Sequence, residues 1–189
     1  TTRLNTQKFV THFESSESTT TQPKSAQQTH PDVHVFNEQN DFELDTERYR
    51  QLAMSVIAGE GVTAVSELSV TFVSPEAITV LNEQHMGHEG PTDVLAFPID
   101  EHSTQSPDLT DTPLMLGDVV VCPSVAADNC STNKGSYPGH QGLLRDEIDL
   151  LVVHGVLHVL GMDHAEHQEK QRMQQRERLH LANIAEKSL

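Results

Sequence analysis

Residues 148–164 read Ile148-Asp149-Leu150-Leu151-Val152-Val153-His154-Gly155-Val156-Leu157-His158-Val159-Leu160-Gly161-Met162-Asp163-His164. Ile148, Leu151, Val152, Gly155, Val156 and Val159 recur at helical spacing, which predicts a long helix from about Leu143 to Gly161. Only an acidic opening turn and two histidines interrupt its apolar character, and a helix apolar nearly all round belongs inside a core. Gly161 supplies a left-handed stop. His154 and His158 are four apart, so their side chains lie one above the other on one face. After Gly161 the chain can turn back and bring His164 to the same point. Three imidazoles buried together without a ligand would be costly. Three neutral imidazoles with one open position are the donor set of a catalytic zinc site rather than a closed structural one. Neutral ligands leave the ion its full charge, so it can lower the pKa of a bound water to roughly 7 or neutralise charge on a phosphoryl oxygen. One Zn²⁺ per chain is the expected cofactor, although three imidazoles also accept Mn²⁺ and Ni²⁺.

Working outward, Val33–Phe36 reads as a first strand, and Asp45 caps a helix to about Ala58 with Leu52, Val56 and Ile57 on its apolar face. Residues 65–73 alternate as a second strand. Ser74-Pro75 opens a helix to about His85, with Ser74 as cap and Pro75 in the first turn. Met86–Pro91 is a loop, Asp93–Phe97 a third strand closed by Pro98, and 99–114 a polar surface loop. Leu116–Val121 is a fourth strand, Pro123 starts a short helix, and 129–140 forms a second polar loop. A final polar helix covers about Glu166–Glu186, with Met173, Leu179 and Ile184 expected to face inward. Strands and helices interleave without strict βαβ regularity. The expected fold class is α+β: a small mixed sheet of about four strands packed with helices, with the metal site on the long core helix and the turn after it.

Residues 1–32 are rich in Thr, Ser and Gln and are expected to form a disordered tail; 33–189 then form a single domain. Apolar residues make up 35% of the 189, few of the large ones in the tail, so a core is available to the remainder. Cys122 and Cys130 are in no CxxC and make neither a disulfide framework nor a cysteine metal site. No apolar run reaches the roughly 18–20 residues of a bilayer span, and the N-terminal residues carry no apolar signal core. A cytoplasmic protein with reduced thiols is expected, with no membrane partner. The formal charge of −16, from 12 Lys and Arg against 28 Asp and Glu, offers no basic surplus for a nonspecific grip on nucleic acid. RNA recognition by such a chain needs a local site or a carrier such as a ribosome.

The spacing H-x3-H-x2-G-x2-H equals that of the metzincin proteases, which carry Glu directly after the first His as general base. Here that place is Gly155, so peptide hydrolysis by that route lacks its base.

The same residues resemble a different family. His154–His164 looks like the H-G-x-L-H-L-x-G-x-D-H signature of the YbeY family. Leu81-Asn82, followed by Gly90-Pro91-Thr92-Asp93-Val94-Leu95-Ala96-Phe97-Pro98, resembles that family's L-N-x4-G-x3-P-T-D-V-L-S-F-P block, and Leu116–Val121 its L-G-D-I-x-I block. Three motifs in order span 81–164, and a weaker likeness extends over about 33–182. The resemblance implies a cytoplasmic, metal-dependent, single-strand-specific endoribonuclease. It further implies a role in ribosome biogenesis, including maturation of the small-subunit rRNA 3′ end, and in ribosome quality control. Partners implied are single-stranded RNA, rRNA and ribosomal particles, with ribosomal proteins or assembly GTPases, and not DNA. It places the zinc ligands at His154, His158 and His164. One departure stands out. Many members carry an Arg before the P-T-D block, where this chain has Met86, a side chain that cannot donate hydrogen bonds to a phosphate.

Arg145, near the start of the long helix, is the candidate to compensate for Met86. Asp93 and Asp118 are candidates to orient a ligating histidine or to close turns, and Asp163 to aim His164 or stabilise the turn after Gly161. Glu147 and Asp149 are expected to complement the helix dipole. His85, His88 and His167 are expected to be solvated. Two other classes compete with the nuclease: a metallopeptidase, separable by a casein digestion, and a non-catalytic ribosome-assembly factor with structural zinc, whose binding to ribosomal particles would survive loss of the ligands.

Overall fold

The computed structural model describes residues 31–99, 113–162 and 167–187, with side chains to 184. Its elements are β1 (Asp32–Asn37), α1 (Thr46–Gly59), β2 (Ser66–Phe72), α2 (Pro75–Leu81), β3 (Val94–Pro98), β4 (Leu114–Val121), α3 (Pro123–Asn129), α4 (Leu144–Val159) and α5 (His167–Lys187). A π-helical turn, Asn82–Met86, extends α2 one residue past the expected end and stops at Gly87, whose φ is +68°. The four strands form one mixed sheet in the order β1-β2-β4-β3. β1, β2 and β4 run parallel, and β3 is an antiparallel edge on β4. The expected α+β class and its four strands are present. The first 30 residues and most of the 99–114 loop lie outside the described residues.

Local chemistry accounts for the element starts. The Asp45 carboxylate accepts the Arg48 N–H at 3.0 Å, and Ser74 Oγ accepts that of Ala77 at 3.4 Å with Pro75 behind it. β2 alternates strictly: Ser66, Leu68, Val70 and Phe72 are buried and the residues between them half-buried, the period of a strand with one face in the core. α1 and α4 pack on one face of the sheet, and α5 packs on α4 and α1. There Val56 and Ile57 meet Phe72, Val119, Val121, Val152, Val156 and Met173 in the main core. α2 covers part of the other face, where Ile78 joins Leu95, Val120 and Cys122.

Two buried ionic features correct the dipole reading of α4's acidic turn. Asp149 is buried and paired through both oxygens with the Arg48 guanidinium of α1 at 2.5 Å. Burial pushes its carboxyl up, against the opposing pull of Arg48. Glu147, with no exposed surface, accepts Asn133 Nδ2 at 2.6 Å and lies 2.9 Å from His140 Nε2. The Gly142 N–H points at His140 Nδ1 at 3.1 Å, so Nδ1 is the acceptor and Nε2 carries the proton given to Glu147. The segment 129–140 is therefore not simply a polar surface loop. Its Tyr137 and His140 are buried, and Tyr137 donates its hydroxyl to the Asp146 carbonyl at 3.0 Å. Arg48→Ala leaves Asp149 without its cation and is expected to lower stability by about 2–3 kcal/mol, measured as a shift of the denaturant midpoint. Arg48→Met with Asp149→Leu should recover most of it, because the pair is then replaced rather than broken. A loss under about 0.5 kcal/mol for Arg48→Ala would contradict this account.

Candidate metal centre

α4 is buried on most sides, and His154 and His158 are half-buried on its last turns. Their ring centroids are 4.6 Å apart and the planes meet at 77°. That places two imidazoles edge to face, close enough to share one ion. The helix stops as its sequence predicts. Gly161, at φ +87°, donates to the His158 carbonyl at 2.9 Å, and Met162 donates to that of Leu157 at 3.0 Å, the paired bonds of a Schellman end. His164 and Asp163 lie outside the described residues, and among those described no third His, Cys, Asp or Glu completes the pair.

A carboxylate not foreseen in the sequence reaches the site from α5. Glu177 Oε1 lies 2.8 Å from His154 Nδ1. With Nδ1–H donated to this acceptor, Nε2 is the lone-pair nitrogen of the ring, the tautomer and orientation found in metal-ligating histidines. The donor chemistry of the described residues thus fits a metal. Its sequence signal was a charged residue on the inward face of an amphipathic helix. Glu177 falls four residues after the buried Met173 and four before the buried Leu181. Leu179, expected to face inward, is instead 47% exposed, and Leu181 takes its place.

The other described candidates have neighbours of their own. Asp93 accepts the Val94 N–H at 2.9 Å and Asn129 Nδ2 at 3.1 Å, which pins the start of β3 to the end of α3. Val119 of β4 faces α4, so its neighbour Asp118 points to the opposite face of the sheet. Arg145 is exposed in the first turn of α4. It lies nine positions before His154, about 13.5 Å along the axis. Met86 is 43% exposed at the end of the π-helical turn. His85 beside it is exposed and meets Phe97 edge-on at 5.1 Å between centroids. His88 is exposed, and among the described residues His167 bonds only to Gln171.

Comparison with known proteins decides the family. The family model described as endoribonuclease YbeY matches residues 34–185. The chain belongs to the YbeY family. An endoribonuclease YbeY from Thermobifida fusca is 44% identical over 141 residues, covering 75% of this chain and 86% of the relative. One from Salinispora tropica is 40% identical over 146 residues, covering 75% and 88%. The solution structure of a Thermotoga maritima protein shares the fold, with a TM-score of 0.52 at 24% identity over 79% of this chain and 86% of that one. The YbeY match contains all three sequence blocks, and it also includes most of α5 with its Glu177.

Proposed function

We propose that this chain is a zinc-dependent endoribonuclease that cuts single-stranded RNA and acts in rRNA maturation, with one zinc ion held by His154, His158 and His164. The observation that carries the reading is the facing pair of imidazoles on a helix otherwise apolar from Leu150 to Val159, one of them anchored by a carboxylate. The YbeY relatives, named as endoribonucleases, supply the reaction class. When bound, the ion supplies Lewis-acid stabilisation of charge developing on a phosphoryl oxygen and makes water more acidic. Either an activated water or the RNA's own 2′-hydroxyl can then serve as nucleophile. Glu177 holds the His154 ring, and the Schellman end stops α4 three residues before His164.

With a charge of −16 the surface repels naked RNA at a distance, so ribosomal particles, through rRNA or ribosomal proteins, are the proposed place of action, in the cytoplasm. Among the described residues no helix is long and apolar enough to cross a membrane. The test compares cleavage of one RNA sequence as a single strand and as a duplex, before and after chelation and zinc re-addition. Cleavage of the single strand, lost with the metal and restored by it, is expected. Bound zinc without cleavage of naked RNA or of ribosomal particles would favour the assembly-factor reading, to which Met86 and the acidic surface point.

A further inference from the structure

α5 is predominantly polar, yet its packed face carries charge. Met173, His180 and Leu181 are buried, and Glu177 lies among them with 13% of its side chain exposed. A carboxylate so placed is expensive unless it has a partner, and its partner is His154. On the same helix, Arg176 and His180 converge on Glu60, the residue that ends α1. Arg176 Nε donates to Glu60 Oε1 at 2.8 Å, and His180 Nε2 lies 2.6 Å from the same oxygen. A second Arg176 nitrogen donates to the Gly59 carbonyl at 3.1 Å. The fit is close: a Cβ on Gly59 would stand 2.7 Å from His180 Cε1. Burial works against the Glu60 charge, but the bonds from His180 and Arg176 outweigh it and hold the carboxyl below its ordinary range.

We infer that Glu177 is a positioning residue for the metal ligand His154, and that the clamp of Arg176 and His180 on Glu60 fixes the rotation and height of α5 that bring Glu177 to the ring. Glu177 lies one residue after Arg176 and three before His180, so a helix gripped at both has little freedom to slide or roll. The end of α1 thereby contributes to a site to which it supplies no ligand. A histidine whose Nδ1–H is held by a carboxylate presents Nε2 in one orientation and with raised basicity, and loss of such a partner commonly weakens metal binding 10- to 100-fold.

This inference rests on the zinc reading above, and its test separates the two. Zinc affinity is measured on the full chain by competition with a chromophoric chelator for wild type, Glu177→Ala, Glu177→Gln and Glu60→Ala. Thermal melting of the metal-free proteins is measured alongside. Glu177→Ala should weaken zinc about 10- to 100-fold with the metal-free melting temperature near wild type. Glu177→Gln keeps an oxygen that accepts Nδ1–H, so it should retain more affinity than the alanine variant, and it serves as the folded comparison if Glu177→Ala is unstable. Glu60→Ala should fall between wild type and Glu177→Ala. Wild-type zinc affinity in both Glu177 variants, with wild type itself binding zinc, would overturn the positioning role alone. A wild-type chain that takes up no zinc would overturn the metal reading and this inference with it.

Discussion

Replacing His158 by alanine is expected to abolish RNA cleavage while leaving a folded protein. His158 faces His154 across 4.6 Å on the last turn of α4. Without it the proposed ligand set falls from three imidazoles to two, too few to close a zinc site that keeps one position for chemistry. Metal stabilisation of charge in phosphoryl chemistry contributes several kcal/mol, so the rate should fall at least about a thousandfold. The fold should persist for local reasons. The side chain is half-buried rather than enclosed, and alanine is the better helix former by a few tenths of a kcal/mol. Zinc content, single-turnover cleavage and circular dichroism of the variant decide the matter together. His167→Ala is the control, because His167 is exposed and, among the described residues, bonded only to Gln171; it should keep both metal and activity. A folded His158→Ala protein that cleaves at the wild-type rate would remove the histidine pair from the mechanism.

The parts of this molecule that were legible in its sequence are those written in local periodicity. β2 alternates residue by residue, α2 carries its cap and proline in order, and α4 announces both its burial and its end at Gly161. The histidine pair was legible because four residues on a helix fix a direction in space. What stayed hidden depends on chain segments far apart. Nothing near Asp149 points to Arg48, 101 residues earlier, and nothing near Glu147 tells that its carboxylate is buried against Asn133 and His140. His140 and Tyr137 sit in a stretch of polar and glycine residues that reads as surface. On α5 the apolar residues alone do not mark the inward face. At about 100° per residue, Leu179 lies roughly 240° around from Met173, whereas Glu177, His180 and Ile184 lie within about 40° of it. Two polar side chains, Glu177 and His180, occupy part of that face.

Gly155→Glu, the change that would install a metzincin-like base, is expected instead to prevent folding. Gly155 is buried on the side of α4 that rests on β4, and a Cβ built there overlaps Val119 Cγ1, with Cγ2 at 3.2 Å and Cβ at 3.4 Å. Val119 has no exposed surface and, being β-branched, has few rotamers to escape into. The position after the first histidine thus points into the sheet, so the missing base is a consequence of how closely helix and sheet approach. Alanine alone gains about 1 kcal/mol of helix propensity over glycine, but overpacking of about 1–3 kcal/mol outweighs it, for a net loss near 1 kcal/mol. Glutamate adds a carboxylate with no partner among apolar side chains, several kcal/mol more, against a total stability of about 5–15 kcal/mol for a domain. Denaturant melts should show Gly155→Ala mildly destabilised and Gly155→Glu unfolded or aggregated. Val119→Ala, combined with Gly155→Ala, should recover stability beyond the sum of the single changes, since each side chain makes room for the other. A soluble, cooperatively folding Gly155→Glu protein would refute the packing account. If it also digested casein, the boundary between this site and a peptidase site would be set by one side chain rather than by the fit of α4 on β4.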